Sequence, residues 1–249
     1  MAQCVVDMQE IEPGIILLTM QDRLNKNTFS EELMFGLVQA FEKIRENLTC
    51  KVVILTGYDS YFASGGTQDS LIGIYEGKLK FTDGNIYSLA LDCRVPVISA
   101  MQGHGIGGGF VMGIYSDFII LSRESVYTAN FMKYGFTPGM GATYILQKKL
   151  GFSLAEELLL NGGTYRGAEL EKRGVPFAVL PREEVLEYAI QLAREVAEKP
   201  RVSLITLKDH LVAQIREELP TIIKQELEMH EKTFHQPEVK DRIMTLFGK

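Results

Sequence analysis

The run VPVISAMQGHGIGGGF, residues 95–110, decides how this chain is read. Val95 to Ala100 is a short apolar, β-rich stretch, the pattern of a buried strand, and five glycines follow within Gly103 to Gly109. Glycine allows a sharp backbone turn and close approach to a ligand, and a helix that starts there points free N–H groups outward. The same arrangement occurs upstream. KVVILT, residues 51–56, reads as a buried strand, and Phe62-Ala63-Ser64-Gly65-Gly66-Thr67 follows it. Two N–H groups converging on one point would form an oxyanion hole; the plain alternative is a pair of tight strand-to-helix joints. A dinucleotide fingerprint can be traced through Gly103, Gly105 and Gly108, but no acidic residue closes a following strand where a ribose contact needs one.

Working outward, Cys4 to Glu10 and Gly14 to Met20 read as a hairpin joined through Glu12-Pro13-Gly14. Thr28 and Glu31 have capping-box spacing, ahead of an amphipathic helix carrying Met34, Leu37, Val38, Phe41 and Ile44. A second helical stretch begins near Ser70, and Phe118 to Leu121 is a further strand after a short helix. Beyond about residue 140 the chain turns helical, with Gly or Pro at the joints; one such segment runs from Arg201 to Pro220. The pattern predicts an α/β core over residues 1–195 and a C-terminal helical region over residues 196–249.

With 249 residues and 46% apolar composition, the chain can bury a core of ordinary density. A net charge of −6 argues against a general nucleic-acid surface. No apolar run approaches a membrane span, and the acidic start does not resemble a signal peptide, so the expectation is a soluble cytoplasmic protein. Cys4, Cys50 and Cys93 are an odd number, widely spaced and without a nearby His pair, which predicts neither disulfide nor metal site.

The two glycine runs, followed by Asp117-Phe118-Ile119-Ile120, Pro138-Gly139-Met140-Gly141-Ala142-Thr143 and LLLNGGTYRGAELEKRGVPFAVLP (residues 158–181), resemble the enoyl-CoA hydratase/isomerase (crotonase) superfamily over most of the chain. The resemblance implies a crotonase (ClpP-like) spiral of ββα turns with a C-terminal helical region, assembled as a homotrimer or dimer of trimers. It implies an acyl thioester substrate on coenzyme A or phosphopantetheine, no other cofactor, and an oxyanion hole made by the N–H groups of Gly66 and Gly108. Ser64, Gly65, Tyr75, Lys78 and Phe131 are expected to contact the substrate.

The departures from the family pattern carry the functional reading. Hydratases of the family have two glutamates where this chain has Val111 and Phe131, neither of which can transfer a proton. Glu124, the nearest carboxylate, reads as a solvated turn residue. Between Lys51 and Lys133 the only lysines are Lys78 and Lys80; Lys80, set between Leu79 and Phe81, can run its stem along apolar surface and aim its charge beside the acyl group. His230 shares a helical face with Ile223, Leu227 and Phe234, the position of a core histidine or of a proton donor in a family whose C-terminal helix covers the site.

A lysine and a histidine without glutamates suit decarboxylation of an anionic acyl thioester. That combination resembles the decarboxylating crotonases of polyketide β-methyl-branching cassettes, acting on a 3-methylglutaconyl group held by an acyl carrier protein. Two alternatives stay open, an enoyl isomerase of the same fold and a non-catalytic scaffold. An acidic carrier protein would need a basic patch, for which Lys148-Lys149 and Lys240, Arg242 and Lys249 are candidates.

Overall fold

The computed structural model describes residues 5–248, so Cys4 and Lys249 lie outside the described residues. The chain opens with the hairpin β1 (Val6–Glu12) and β2 (Ile15–Met20), turned at Gly14 with φ +81°, and continues into α1 (Glu31–Glu46). Three repeats follow. The first is β3 (Val52–Thr56), β4 (Tyr61–Ala63) and α2 (Gln68–Tyr75), with the short α3 (Leu89–Asp92) after it. The second is β5 (Val97–Met101), β6 (His104–Ile106) and α4 (Gly108–Ile114), and the third begins with β7 (Phe118–Ser122) and β8 (Val126–Thr128). Then come α5 (Ala142–Leu150), α6 (Phe152–Asn161), β9 (Tyr165–Arg166), α7 (Gly167–Lys172), β10 (Ala178–Leu180), α8 (Arg182–Ala197), α9 (Arg201–Thr233) and α10 (Pro237–Leu246).

In each repeat the first strand joins one sheet and the second joins another. The larger sheet has the order β1-β2-β3-β5-β7-β10, parallel except for the β1-β2 hairpin; the smaller has the order β4-β6-β8-β9. This is the predicted spiral of ββα turns. Strands β3 and β5 are apolar at every position but one because both faces of the large sheet are covered. Val53 and Leu55 face the main core, while Val52 and Ile54 meet Val185, Ala189 and Ala193 of α8 on the other face.

Two local expectations are corrected. The cap of α1 is Ser30, whose Oγ accepts from Leu33 N at 3.2 Å, not Thr28. Thr28 is drawn into a bridge with Gly65, which keeps the chain extended until Ser30. Nor does the helix after Arg201 stop at Pro220; α9 runs through it for 33 residues. An interior proline costs about 3 kcal/mol, but here it is exposed, and Leu219, Glu226 and His230 anchor the helix on its buried face. At the end of the chain, Phe234, Val239 and Ile243 belong to the main core, and α10 packs against α2.

Candidate active site

The two glycine runs meet backbone to backbone at the mouths of their strands. Gly65 has φ +75°, and a Cβ on it would stand 2.7 Å from the Ile106 carbonyl oxygen and 3.1 Å from Gly108 N, so only glycine fits. Thr67 caps α2 by accepting from Ser70 N, which fixes Gly66 just ahead of the helix. Gly107, at φ +54°, turns the second run into α4 with Gly108 as its first residue. Among the described residues no protein acceptor takes the N–H of Gly66 or of Gly108. Both glycines line one cavity of about 530 Å³.

Six aromatic rings contribute to the remaining wall: Phe29, Phe81, Phe131, Tyr134, Phe136 and Phe247. Phe131 packs edge-on to Phe136, and Val111 is fully buried in α4 away from the cavity, so neither position brings a carboxylate to it. Three carboxylates do line the cavity, those of Glu31, Asp69 and Asp83. Among the described residues, Lys80 is the single basic side chain of the lining. It sits on the loop after α2, where Asp83 Oδ2 accepts the Lys80 backbone N–H at 2.7 Å and closes a turn. The Lys80 ammonium has no protein partner among the described residues.

His230 stands one ring behind this cavity. It is 5% exposed and lies in a crevice, too narrow for a water molecule, with Glu226, Tyr87 and Gly139; Phe81 and Met140 face both the crevice and the cavity. Its Nε2 donates to the Thr137 carbonyl at 2.9 Å, and burial holds the imidazole below the usual histidine range although the Thr137 and Pro138 carbonyls favour the cation. Glu226, four residues earlier on the same face, accepts from Gly141 N (2.7 Å), Thr143 N (2.9 Å) and Thr143 Oγ1 (2.6 Å), while burial raises its carboxyl. Sequence reasoning missed Glu226. A carboxylate on the apolar stripe that holds Ile223, Leu227 and His230 was the available signal.

The other expected residues divide. Ser64 and Gly65 line the cavity, and Ser64 Oγ donates to the Lys26 carbonyl at 2.6 Å. Tyr75 and Lys78 lie outside it: the Tyr75 carbonyl accepts from His235 Nδ1, and Lys78 pairs with Glu76 at the surface. Glu124 is exposed, as expected, and accepts from Arg182 N at the start of α8. The Lys148-Lys149 patch is halved, because Lys149 turns inward and donates to the Ser116 carbonyl at 2.7 Å. Among the described residues no His, Cys, Asp and Glu cluster is placed to hold a metal, and no helix is long and apolar enough to cross a membrane.

Comparison with known proteins places these features. Residues 10–248 match the family model described as enoyl-CoA hydratase/isomerase. The chain is 70% identical, over the whole of both chains, to the bacillaene synthase decarboxylase PksI of Bacillus subtilis. A solved structure from a dehydratase/decarboxylase enzyme couple involved in polyketide beta-branching superposes with a TM-score of 0.98 at 70% identity, covering 98% of this chain and 100% of that one. The ECH2 decarboxylase domain of CurF from Lyngbya majuscula superposes at 0.95 with 46% identity and the same coverage. By contrast, a probable mitochondrial enoyl-CoA hydratase of Dictyostelium discoideum is 28% identical over 88% of this chain and 79% of its own.

Proposed function

The chain belongs to the enoyl-CoA hydratase/isomerase family and is a decarboxylase of that family, and from that premise we propose that it releases CO2 from a 3-methylglutaconyl thioester carried by an acyl carrier protein in polyketide β-branching. The observation that carries the substrate choice is Lys80. Among the described residues it is the one cation lining a cavity that also presents two unengaged backbone N–H groups, while both positions expected to hold glutamates are apolar.

In the proposed reaction, the thioester oxygen accepts the N–H groups of Gly66 and Gly108, and the distal carboxylate pairs with Lys80. The bond between the carboxylate carbon and C4 breaks. Its electron pair passes through the C2–C3 double bond to the thioester oxygen, giving a dienolate that the two N–H groups stabilise, and CO2 departs. Each such donor contributes about 3 kcal/mol to a transition state of this kind. The proton that C4 then takes comes from solvent, delivered by a water that His230 positions or by His230 itself once the Phe81 ring turns aside, and gives 3-methylcrotonyl thioester. Apolar walls favour charge dispersal over the conjugated system and disfavour the localised carboxylate.

Residues 196–249 would serve a second purpose in assembly. Leu207 and Leu211, one turn apart on α9 and 57% and 67% exposed, suit burial against another copy in a homotrimer. A carrier protein would approach from the cavity mouth. The test of the proposed function is incubation of the purified protein with 3-methylglutaconyl and crotonyl thioesters, followed by mass spectrometry. CO2 loss from the first without hydration of the second is the expected result. Hydration of crotonyl thioester would overturn it, and movement of a β,γ double bond without CO2 loss would mark an isomerase.

A further inference from the structure

Met140 has φ +65°, in the left-handed region that apolar side chains avoid. Lys26, Asn27 and Asp59 are the other described non-glycine residues with positive φ, so Met140 alone among them is apolar, and it is buried. Its conformation is imposed from three sides. The buried Tyr115 hydroxyl donates to the Met140 carbonyl at 2.8 Å, and Glu226 holds the next N–H, that of Gly141. The flanking glycines leave no room to relax: a Cβ on Gly139 would stand 2.7 Å from His230 Cε1, and one on Gly141 2.1 Å from the Tyr115 hydroxyl. Strain held by an over-determined surround is commonly found where a side chain must be aimed.

Here the aim is at Gly108. The Met140 sulfur lies 2.7 Å from where a Gly108 Cβ would be, with Phe29 Cε2 at 2.8 Å on the same point. Met140 therefore closes the cavity beside the second free N–H, where the acyl chain of a bound thioester begins, and separates the cavity from the His230 crevice. We propose that Met140 is a specificity-determining residue: held left-handed by Tyr115 and Glu226, it limits the acyl cavity to short, branched acyl groups. The assignment rests on the acyl-thioester reading of the cavity given above.

Binding of 3-methylbutanoyl- and octanoyl-pantetheine, both unreactive toward decarboxylation, is measured by calorimetry on the full chain. The wild type should prefer the shorter group. Met140→Ala should shift the ratio of the two Kd values toward octanoyl by about tenfold or more, and Met140→Leu should keep the wild-type preference. Met140→Gly, which suits φ +65° without strain, should shift the ratio likewise and melt no lower than Met140→Ala. An unchanged ratio in both small-residue variants would overturn the proposal. CO2 release from 3-methylglutaconyl-pantetheine by the wild type is followed separately. Its absence would sink the decarboxylase chemistry and leave the Kd ratios to decide on Met140.

Discussion

The rings of Phe81 and His230 lie 4.8 Å apart, centroid to centroid, with Phe81 between the imidazole and the acyl cavity. Removing that ring should join the crevice to the cavity. In Phe81→Ala, His230 is expected to react with diethyl pyrocarbonate at a rate near that of the exposed His210, as followed by peptide mass spectrometry. Continued protection of His230 in the variant would mean that something other than Phe81 shields it.

Lys80→Ala should remove the partner of the distal carboxylate while leaving the thioester contacts in place. A hydrogen bond to a charged group contributes roughly 1.5–3 kcal/mol, so CO2 release should fall about 10- to 200-fold. Affinity for an uncharged crotonyl thioester should change little. Equal losses on both ligands would show that Lys80 shapes the loop rather than holding the carboxylate.

Glu226→Ala leaves the Gly141 and Thr143 N–H groups without their acceptor in a buried place. Each orphaned donor costs about 1–3 kcal/mol. The variant should melt several degrees lower, and its 139–143 backbone amides should exchange faster with deuterium. Unchanged exchange there would remove Glu226 from its role as the clamp on that segment.

Burial holds both His104 and His230 below the ordinary histidine value of 6.5, and His104 Nδ1 accepts from Val126 N, a bond that protonation breaks. The unfolded chain therefore binds protons near 6.5 that the folded chain refuses. Stability rises with pH across that window and is lost as pH falls below it. Glu226, raised by burial, has the opposite sign above 4.5. Urea midpoints at pH 7.5 and 5.5 should differ, the acid value being lower, and His104→Gln should narrow the gap. Equal midpoints in the wild type would contradict the depressed histidines.

Much of the architecture was legible because it rests on local pattern. Strand runs such as KVVILT, followed by glycines of which Gly57 and Gly65 leave no room for a Cβ, announce the ββα turns and the paired loops. The place of Lys80 on the cavity lining was legible from its apolar neighbours. What escaped depends on distant partners. Ser30 caps α1 because Thr28 is taken by Gly65, some 37 residues on. Pro220 sits inside a helix because buried residues on either side of it are held elsewhere. His230 was placed on the correct face, but no periodicity says that Phe81, from a loop about 150 residues away, stands in front of it. Lys208 is buried, paired with Asp117 and donating to the Ala90 and Val95 carbonyls, on a helix whose other polar residues are largely exposed.

The charge census of the cavity has a bearing on turnover. Among the described residues one ammonium faces three carboxylates there, so that lining is net negative before substrate arrives. In the proposed reaction an anionic acyl group is held at the Lys80 end, and once CO2 has gone the remaining acyl chain would offer Lys80 nothing to grip. The attraction that admits the substrate would then be consumed by the reaction itself. Such a site clears itself: the uncharged product should compete poorly with fresh substrate, and accumulation of product should do little to slow the enzyme.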